Sequence, residues 1–426
     1  MRNFFRKPWR LYLFLYSFFF QILFLSLVLL GFPFLCFLAL LARNKGEGYF
    51  IGIQELCSNV FSTAEALRLK GKKNITSFAI VNKFNIGNSY RYQLASPIWL
   101  ENFNNLKELY FFIILLSRFV FFLFKNKYFI FYWNRTFLPM NIDLILLKIA
   151  QKKIVIFHCG DDVRYRPIHN KLLKAEGVQY SFPLLEDTTP NLTFMKKFYY
   201  QKLPSFLNIP IYTLMDIETF IDKPLYQFRV PQISNIHPSV KEENKIPIIV
   251  HAPSNRELKG TEIVLEAMEL LRSEGYKFEF ILLENLPNEE VMRCLHKADI
   301  IIDQPGLWAG RLAMEGFAYS CIVIGGNDSH YEQGNIQLPT IVFKRNHDDL
   351  LEKIKTTLLN ITTLRNDFYQ CYHKFYSADA FINHLEDVLE NRIFPDLYPP
   401  KNHKKNLLAV AENGFQRLII KIFIKG

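Results

Sequence analysis

Arg256 and Lys259 stand in the run HAPSNRELKGT, between a short apolar stretch and the start of an amphipathic pattern. Two cations at such a junction, beside the backbone N–H groups that a helix start leaves unpaired, have the chemistry to hold a diphosphate. Further on, Glu284 follows a second apolar stretch, Gly310 opens another helical pattern, and Glu315 lies about one turn into it. A carboxylate there can accept hydrogen bonds from ribose hydroxyls while the helix start at Gly310 faces phosphate. Spacing therefore nominates Arg256, Lys259, Glu284, Gly310 and Glu315 as donor-binding residues. An Arg-x-x-Lys pair alone is most often a solvated pair, and it is the place at a strand end that lifts this one above the ordinary. Asp303 and Gln304 read as the polar end of a strand and Glu257 as a residue favouring a helix start, so none of the three is counted in the site.

The elements that must position these residues alternate. Ile246 to Val250 is a continuous apolar run, and from Thr261 apolar residues recur at Ile263, Val264, Ala267, Met268, Leu270 and Leu271, the helical spacing. Glu262 and Glu266 sit early in that helix, Arg272 late, and Gly275 just past its end, as the helix dipole and a left-handed cap favour. A strand at Lys277–Leu283, a helix after Asn288, a strand at Asp299–Asp303, a helix over Gly310–Ser320 and a strand at Cys321–Gly325 repeat the cycle. This is half of a doubly wound α/β domain with parallel strands, and in such sheets ligands bind beyond the carboxyl ends of the strands, where the nominated residues fall.

These runs, HAPSNRELKGT, then LLENLPNEEV, then ADIIIDQPGLWAGRLAMEGFAYSCIVI, resemble the donor-nucleotide domain of GT-B glycosyltransferases, specifically the retaining family 4 group. The resemblance covers roughly Gly48 to Phe381 and is strongest after Ile246. It implies two Rossmann-like doubly wound domains and a nucleotide diphosphate sugar as donor, with Arg256 and Lys259 neutralising the diphosphate and Glu315 holding the ribose. The segment HCGDDVR, which begins at His158, is similar to the H-G-S-D-hydrophobic-R element of the same family. That similarity puts His158 beside the transferred sugar, where a hydroxyl needs a hydrogen-bond partner; Asp161, Asp162 and Arg164 read alternatively as a local ion-pair cluster shaping the loop. His158, Arg256 and Lys259 are thus the catalytic candidates. The chain departs from the family at Leu307, where a second Glu usually stands near the sugar.

Composition sets outer limits. The 426-residue chain is 50% hydrophobic and 15% aromatic, with 41 Phe, an excess that suggests surface spent on lipid. Its net charge of +11 and pI near 9.1 suit an anionic partner. No nucleic-acid motif accompanies the charge, so anionic lipid and nucleotide diphosphate are the expected partners and nucleic acid is not. The six cysteines lack C-x-x-C spacing and read as reduced residues. No Asp-x-Asp occurs, so neither a metal nor any other cofactor is expected.

Arg2, Arg6, Lys7 and Arg10 precede the apolar run Leu11–Ala42, which exceeds the roughly 20 residues that a helix needs to cross a bilayer. Basic residues flank both sides, so the run is either one tilted span or a re-entrant hairpin broken at Gly31-Phe32-Pro33. Gly48–Ile53 and Lys153–His158 read as strands of an N-terminal α/β domain. Leu106–Phe124 reads as a helix that is either buried or interfacial. A strand at Thr340–Phe343, a helix from His347 to Leu359 and helical structure over Ile361–Leu389 follow the donor half. The basic amphipathic tail, with Arg417, Lys421 and Lys425 among Leu418, Ile419, Ile420 and Ile422, suits anionic lipid.

The expected organisation is a membrane anchor at 1–46, an N-terminal Rossmann-like acceptor domain at 47–234, a C-terminal Rossmann-like donor domain at 235–390, and a tail at 391–426. The expected function is metal-independent transfer of a sugar from a nucleotide sugar to a lipid-linked or polysaccharide acceptor, on the cytoplasmic face of a membrane, with retention implied by the family alone. A catalytically silent scaffold of a polysaccharide assembly complex is the alternative, and Leu307 is its support. A nucleotide-sugar epimerase keeps the fold, but the apolar N-terminus counts against it.

Overall fold

The computed structural model describes residues 26–27, 30–80, 91–94, 104–175, 189–213, 225–227, 229–233, 238–242, 244–305, 310–326, 339–395 and 403–424. Most of the apolar run Leu11–Ala42, the expected boundary after residue 234 and Leu307 lie outside them. Within them no helix is long and apolar enough to cross a membrane.

Two sheets organise the chain. The first orders its strands β3-β2-β1-β4-β5-β6-β7, with β1 at Gly48–Ile53, β2 at Ile75–Ile80, β3 at Tyr92–Leu94, β4 at Asn126–Tyr132, β5 at Lys153–His158, β6 at Ile211–Thr213 and β7 at Tyr226–Gln227. β1 pairs in parallel with both β2 and β4, and β4 with β5. The second sheet runs β11-β10-β8-β9, with β8 at Ile248–His251, β9 at Glu279–Leu282, β10 at Ile300–Pro305 and β11 at Ile322–Gly326, all of its pairs parallel. Parallel strands need crossovers, and helices supply them: α1 (Asn59–Leu69), α2 (Asn104–Lys125), α3 (Asp143–Ile149), α4 (Arg166–Ala175) and α5 (Pro190–Phe206) in the first half. The second half carries α6 (Arg256–Lys259), α7 (Thr261–Ser273), α8 (Asn288–Lys297), α9 (Arg311–Ala318), α10 (His347–Leu358), α11 (Ile361–Cys371), α12 (Ala378–Leu389), α13 (His403–Val410) and α14 (Gly414–Phe423). The chain groups into two compact units, one of Met1–Ala64, Gly71–Phe157 and Phe206–Ile209, the other of Glu65–Lys70, His158–Ser205 and Pro210–Gly426.

Phenylalanine fills the first sheet's core. Phe50, Phe78, Phe119, Phe122, Phe129, Phe131, Phe137 and Phe157 are all buried, and Phe50 alone packs its ring within about 6.5 Å of five others. These Phe therefore serve packing, whereas most of the ten Phe in the first 42 residues lie outside the described ones. α2 divides its faces: Phe111, Leu115, Phe119, Phe122 and Leu123 are buried, whereas Ile113 and Phe121 are exposed.

Two expected elements differ. The strand at Thr340–Phe343 reduces to one bridge between Ile341 and Ile324. The helix over Ile361–Leu389 is broken by a wider π turn at Tyr372–Tyr376, after which Ser377 caps α12 by accepting from Ala380 N at 3.2 Å. A capping serine competes for the backbone and restarts the helix, a signal that apolar spacing alone does not carry.

Candidate phosphate-facing rim and histidine loop

The rim is built where β8, β9 and β10 end. β8 is buried and stops at His251, whose ring hydrogen-bonds through Nδ1 to Ile302 O at 2.8 Å and through Nε2 to Thr261 Oγ1 at 3.0 Å. His251 thus ties β8, β10 and the start of α7 together. Burial lowers its pKa, so it works as a neutral ring with Nδ1–H donating to the carbonyl and Nε2 accepting from the hydroxyl. The sequence placed it at a strand end but gave it no role, because its partners are Thr261 and a carbonyl on a distant strand.

Arg256 and Lys259 lie between the end of β8 and the start of α7, as expected, and there they form the single helical turn α6. Asn255 starts it by accepting from Leu258 N at 2.8 Å, and Gly260 ends it with φ of 65°. A side chain at Gly260 would be strained by that conformation, and its Cβ would lie 3.2 Å from Pro305. Arg345 donates to the carbonyls of Glu257 and Leu258, so α6 is held at its carboxyl end by a residue far along the chain.

The two cations meet different surroundings. Arg256 is half-exposed and donates from Nη1 to both oxygens of Glu284 at 2.9 Å, and from Nε and Nη2 to Glu262 Oε1 at 3.0 and 2.8 Å. Hydrogen bonds to Glu262 and Glu284 raise its pKa. Lys259 is buried, and its ammonium pairs with Oδ1 of Asp303, whose side chain is fully buried. Oδ2 of the same carboxylate accepts from Gly310 N at 2.6 Å, where α9 begins. A Cβ at Gly310 would lie 3.2 Å from both Asp303 Oδ2 and Lys259 Nζ, so glycine is what lets this backbone approach the pair. Asp303, set aside in the sequence as a strand terminus, is the centre of the cluster.

Glu315 lies one turn into α9, almost buried. Its Oε1 accepts from Arg311 Nε at 2.9 Å and Asn288 Nδ2 at 3.3 Å, while Oε2 has no hydrogen bond among the described residues. One carboxylate oxygen is thereby fixed and the other left available. The structure thus brings Lys259 and Gly310 onto one carboxylate, joins Arg256 to Glu284, and gives Glu315 its own partners.

His158 ends β5 and is buried. Its Nδ1 lies 3.0 Å from Asp162 Oδ2, and Asp162 Oδ1 accepts from Cys159 N at 3.1 Å and Gly160 N at 2.8 Å. The carboxylate accepts, so Nδ1 carries a proton, and in the neutral ring Nε2 then presents a lone pair. That Nε2 has no hydrogen-bond partner among the described residues. Asp162 therefore holds His158 and the loop's own backbone. Asp161 forms ion pairs: Arg164 Nη1 bonds its carboxylate at 3.1 Å and Arg166 does so too, while Lys197 bonds its carbonyl. Burial pushes the Asp161 carboxyl up, but Arg166 and Arg164 outweigh it and hold the pKa below the ordinary value.

No protein-family model matches the chain, and no curated protein matches it in sequence. Solved structures do match. A glycosyltransferase from Rickettsia africae ESF-5 aligns at 11% identity over 82% of this chain and 99% of its own, with a TM-score of 0.51. Anabaena Alr3699/HepE, in complex with UDP and glucose, aligns at 9% identity over 81% and 100% of the two chains, with a TM-score of 0.47. A UDP-N-acetylglucosamine 2-epimerase aligns at 11% identity over 83% and 100%, with a TM-score of 0.46. At such identities the first likeness speaks for the fold alone, and with the two parallel sheets it makes this an α/β protein of GT-B-like structure.

Proposed function

We propose that this protein is a membrane-associated glycosyltransferase that moves a sugar from a nucleotide diphosphate donor to a lipid-linked or polysaccharide acceptor, with retention of configuration as the family 4 resemblance implies. The observation that carries the reading is the rim beyond β8, β9 and β10, where an ammonium, a guanidinium, the N–H groups at the start of α9 and a half-engaged carboxylate are gathered. In this reading Lys259 and Arg256 stabilise the charge that builds on the leaving diphosphate, without a metal or other cofactor. Glu315 Oε2 accepts from a ribose hydroxyl. His158 Nε2 accepts from a hydroxyl of the transferred sugar, held in the correct tautomer by Asp162.

Membrane attachment draws on the apolar N-terminal run and on α14, whose outer face exposes Phe415, Leu418 and Ile422 beside Arg417 and Lys421, with no acidic residue in the helix. The catalytic units then face the cytoplasm, where activated sugars are made. Protease added to sealed inverted vesicles should remove the tail; removal in intact cells instead would reverse the orientation.

The silent scaffold gains from one observation: both rim cations already have carboxylate partners. Those carboxylates stand at the ends of the neighbouring strands β9 and β10, beside the rim, so pairing does not carry the cations away from it. Calorimetry with UDP, GDP and other nucleoside diphosphates separates the two readings. Binding that Arg256→Ala and Lys259→Ala abolish supports the enzyme, and the absence of binding by any of them supports the scaffold.

A further inference from the structure

Asp303 holds the two groups that the proposed donor site would offer to phosphate. Its carboxylate is fully buried, with Oδ1 on the Lys259 ammonium and Oδ2 on the N–H of Gly310 at the start of α9. Carboxylate and phosphate oxygens are alike as anionic acceptors of charge-assisted hydrogen bonds, so Asp303 stands where a phosphate would find its partners. A buried ammonium without a counter-charge is costly, and among the described residues no carboxylate but Asp303 pairs with this one. Arg256 is itself cationic and is engaged by Glu262 and Glu284. His251, close enough to feel Lys259, Asp303 and Glu284, is kept neutral by burial, with both ring nitrogens in use. Among the described residues, the charge that balances Lys259 is that of Asp303.

We infer that Asp303 is a resident counter-ion of the donor site. A nucleoside diphosphate binds by sharing or drawing off the Lys259 ammonium, and Asp303 takes it back as the diphosphate leaves. Charge neutralisation of the empty site and weak retention of the leaving nucleotide then have one cause. The inference rests on the proposed donor site and adds that this site competes with its own ligand. It also accounts for Gly310, since any larger residue would press on both members of the pair.

The test is calorimetric titration of the full-length chain with UDP and GDP, for the wild type and for Asp303→Asn. The amide oxygen of asparagine can still accept from Gly310 N–H, while the charge is gone. Asp303→Asn should bind the nucleoside diphosphate more tightly, by roughly tenfold or more, because a like charge within a few ångströms of the phosphate is removed. Under turnover the same substitution should lower both KM for the donor and kcat, because the product leaves more slowly. Equal or weaker binding by Asp303→Asn overturns the counter-ion role and leaves the donor site standing. Failure of both proteins to bind either nucleotide overturns the donor site and the inference with it. Should Asp303→Asn not fold, Asp303→Ser, which is smaller and also uncharged, answers the same question with the same outcomes.

Discussion

His158 and Lys259 are built alike and left in opposite states. Each is buried near a strand end, and each is fixed by an aspartate that also accepts backbone N–H groups: Asp162 from Cys159 and Gly160, Asp303 from Gly310. Asp162 takes one nitrogen of His158 and leaves Nε2 without a partner among the described residues, whereas Asp303 takes the ammonium of Lys259. In the proposed reading the first arrangement prepares a group for a ligand and the second balances a charge until a ligand arrives. Asp143 supplies a third case, a buried carboxylate bonded by Thr136 Oγ1 and by the N–H groups of Phe137 and Leu138, with no cation paired to it among the described residues. Burial pushes its pKa up to about 6 in spite of those hydrogen bonds. The difference between the three is the partner and not the depth.

The largest effect should come from Lys259→Met, which strands the Asp303 carboxylate: removing one member of a buried ion pair costs about 3–5 kcal/mol. Thermal melts should show that loss, and Lys259→Met/Asp303→Asn should recover most of it. An unrecovered double variant would mean that the lysine stem, and not the charge, carries the stability.

Asp143 makes the next test. Its folded pKa is raised above the unfolded value, so its contribution to stability is full below about pH 4 and is lost as pH rises through about 6. Urea denaturation should show a fall on the order of 3 kcal/mol across that window, a shift of about two units at 1.36 kcal/mol each. Asp143→Asn should flatten this component of the slope. An unchanged slope would remove the contrast with the paired aspartates.

His158→Ala should cost roughly fivefold to hundredfold in kcat/KM while leaving nucleoside diphosphate affinity unchanged, since leaving a sugar hydroxyl without its partner costs about 1–3 kcal/mol. Asp162→Asn should slow transfer as well, by favouring the wrong tautomer. A loss of nucleotide affinity in His158→Ala would place the ring elsewhere.

Arg256→Ala should have the smallest effect on folding, because exposed ion pairs contribute little. Its influence should appear in nucleotide binding and weaken as salt rises. A large drop in melting temperature would show that the Glu262 and Glu284 pairs hold α6 in place.

The four-strand alternation was legible because apolar runs at Ile248–His251, Ile300–Pro305 and Ile322–Gly326 separate amphipathic segments, and spacing along the chain is all that such elements require. For the same reason Arg256, Lys259 and Glu315 could be assigned to strand ends and a helix start. The pairing of Lys259 with Asp303, the bolt at His251 and the support of α6 by Arg345 were not legible, since each joins residues distant in sequence. Asp162 shows the limit at short range: beside Asp161 in an acidic and basic run it looks like a member of an ion cluster, and only the turn of the backbone gives it to His158. By itself, then, the sequence determined which segments form strands and helices and which charged residues gather at their ends, because periodicity and composition are local. Tertiary structure decided which of those charges are balanced and which nitrogen is left without a partner, because burial and pairing depend on what the fold brings alongside.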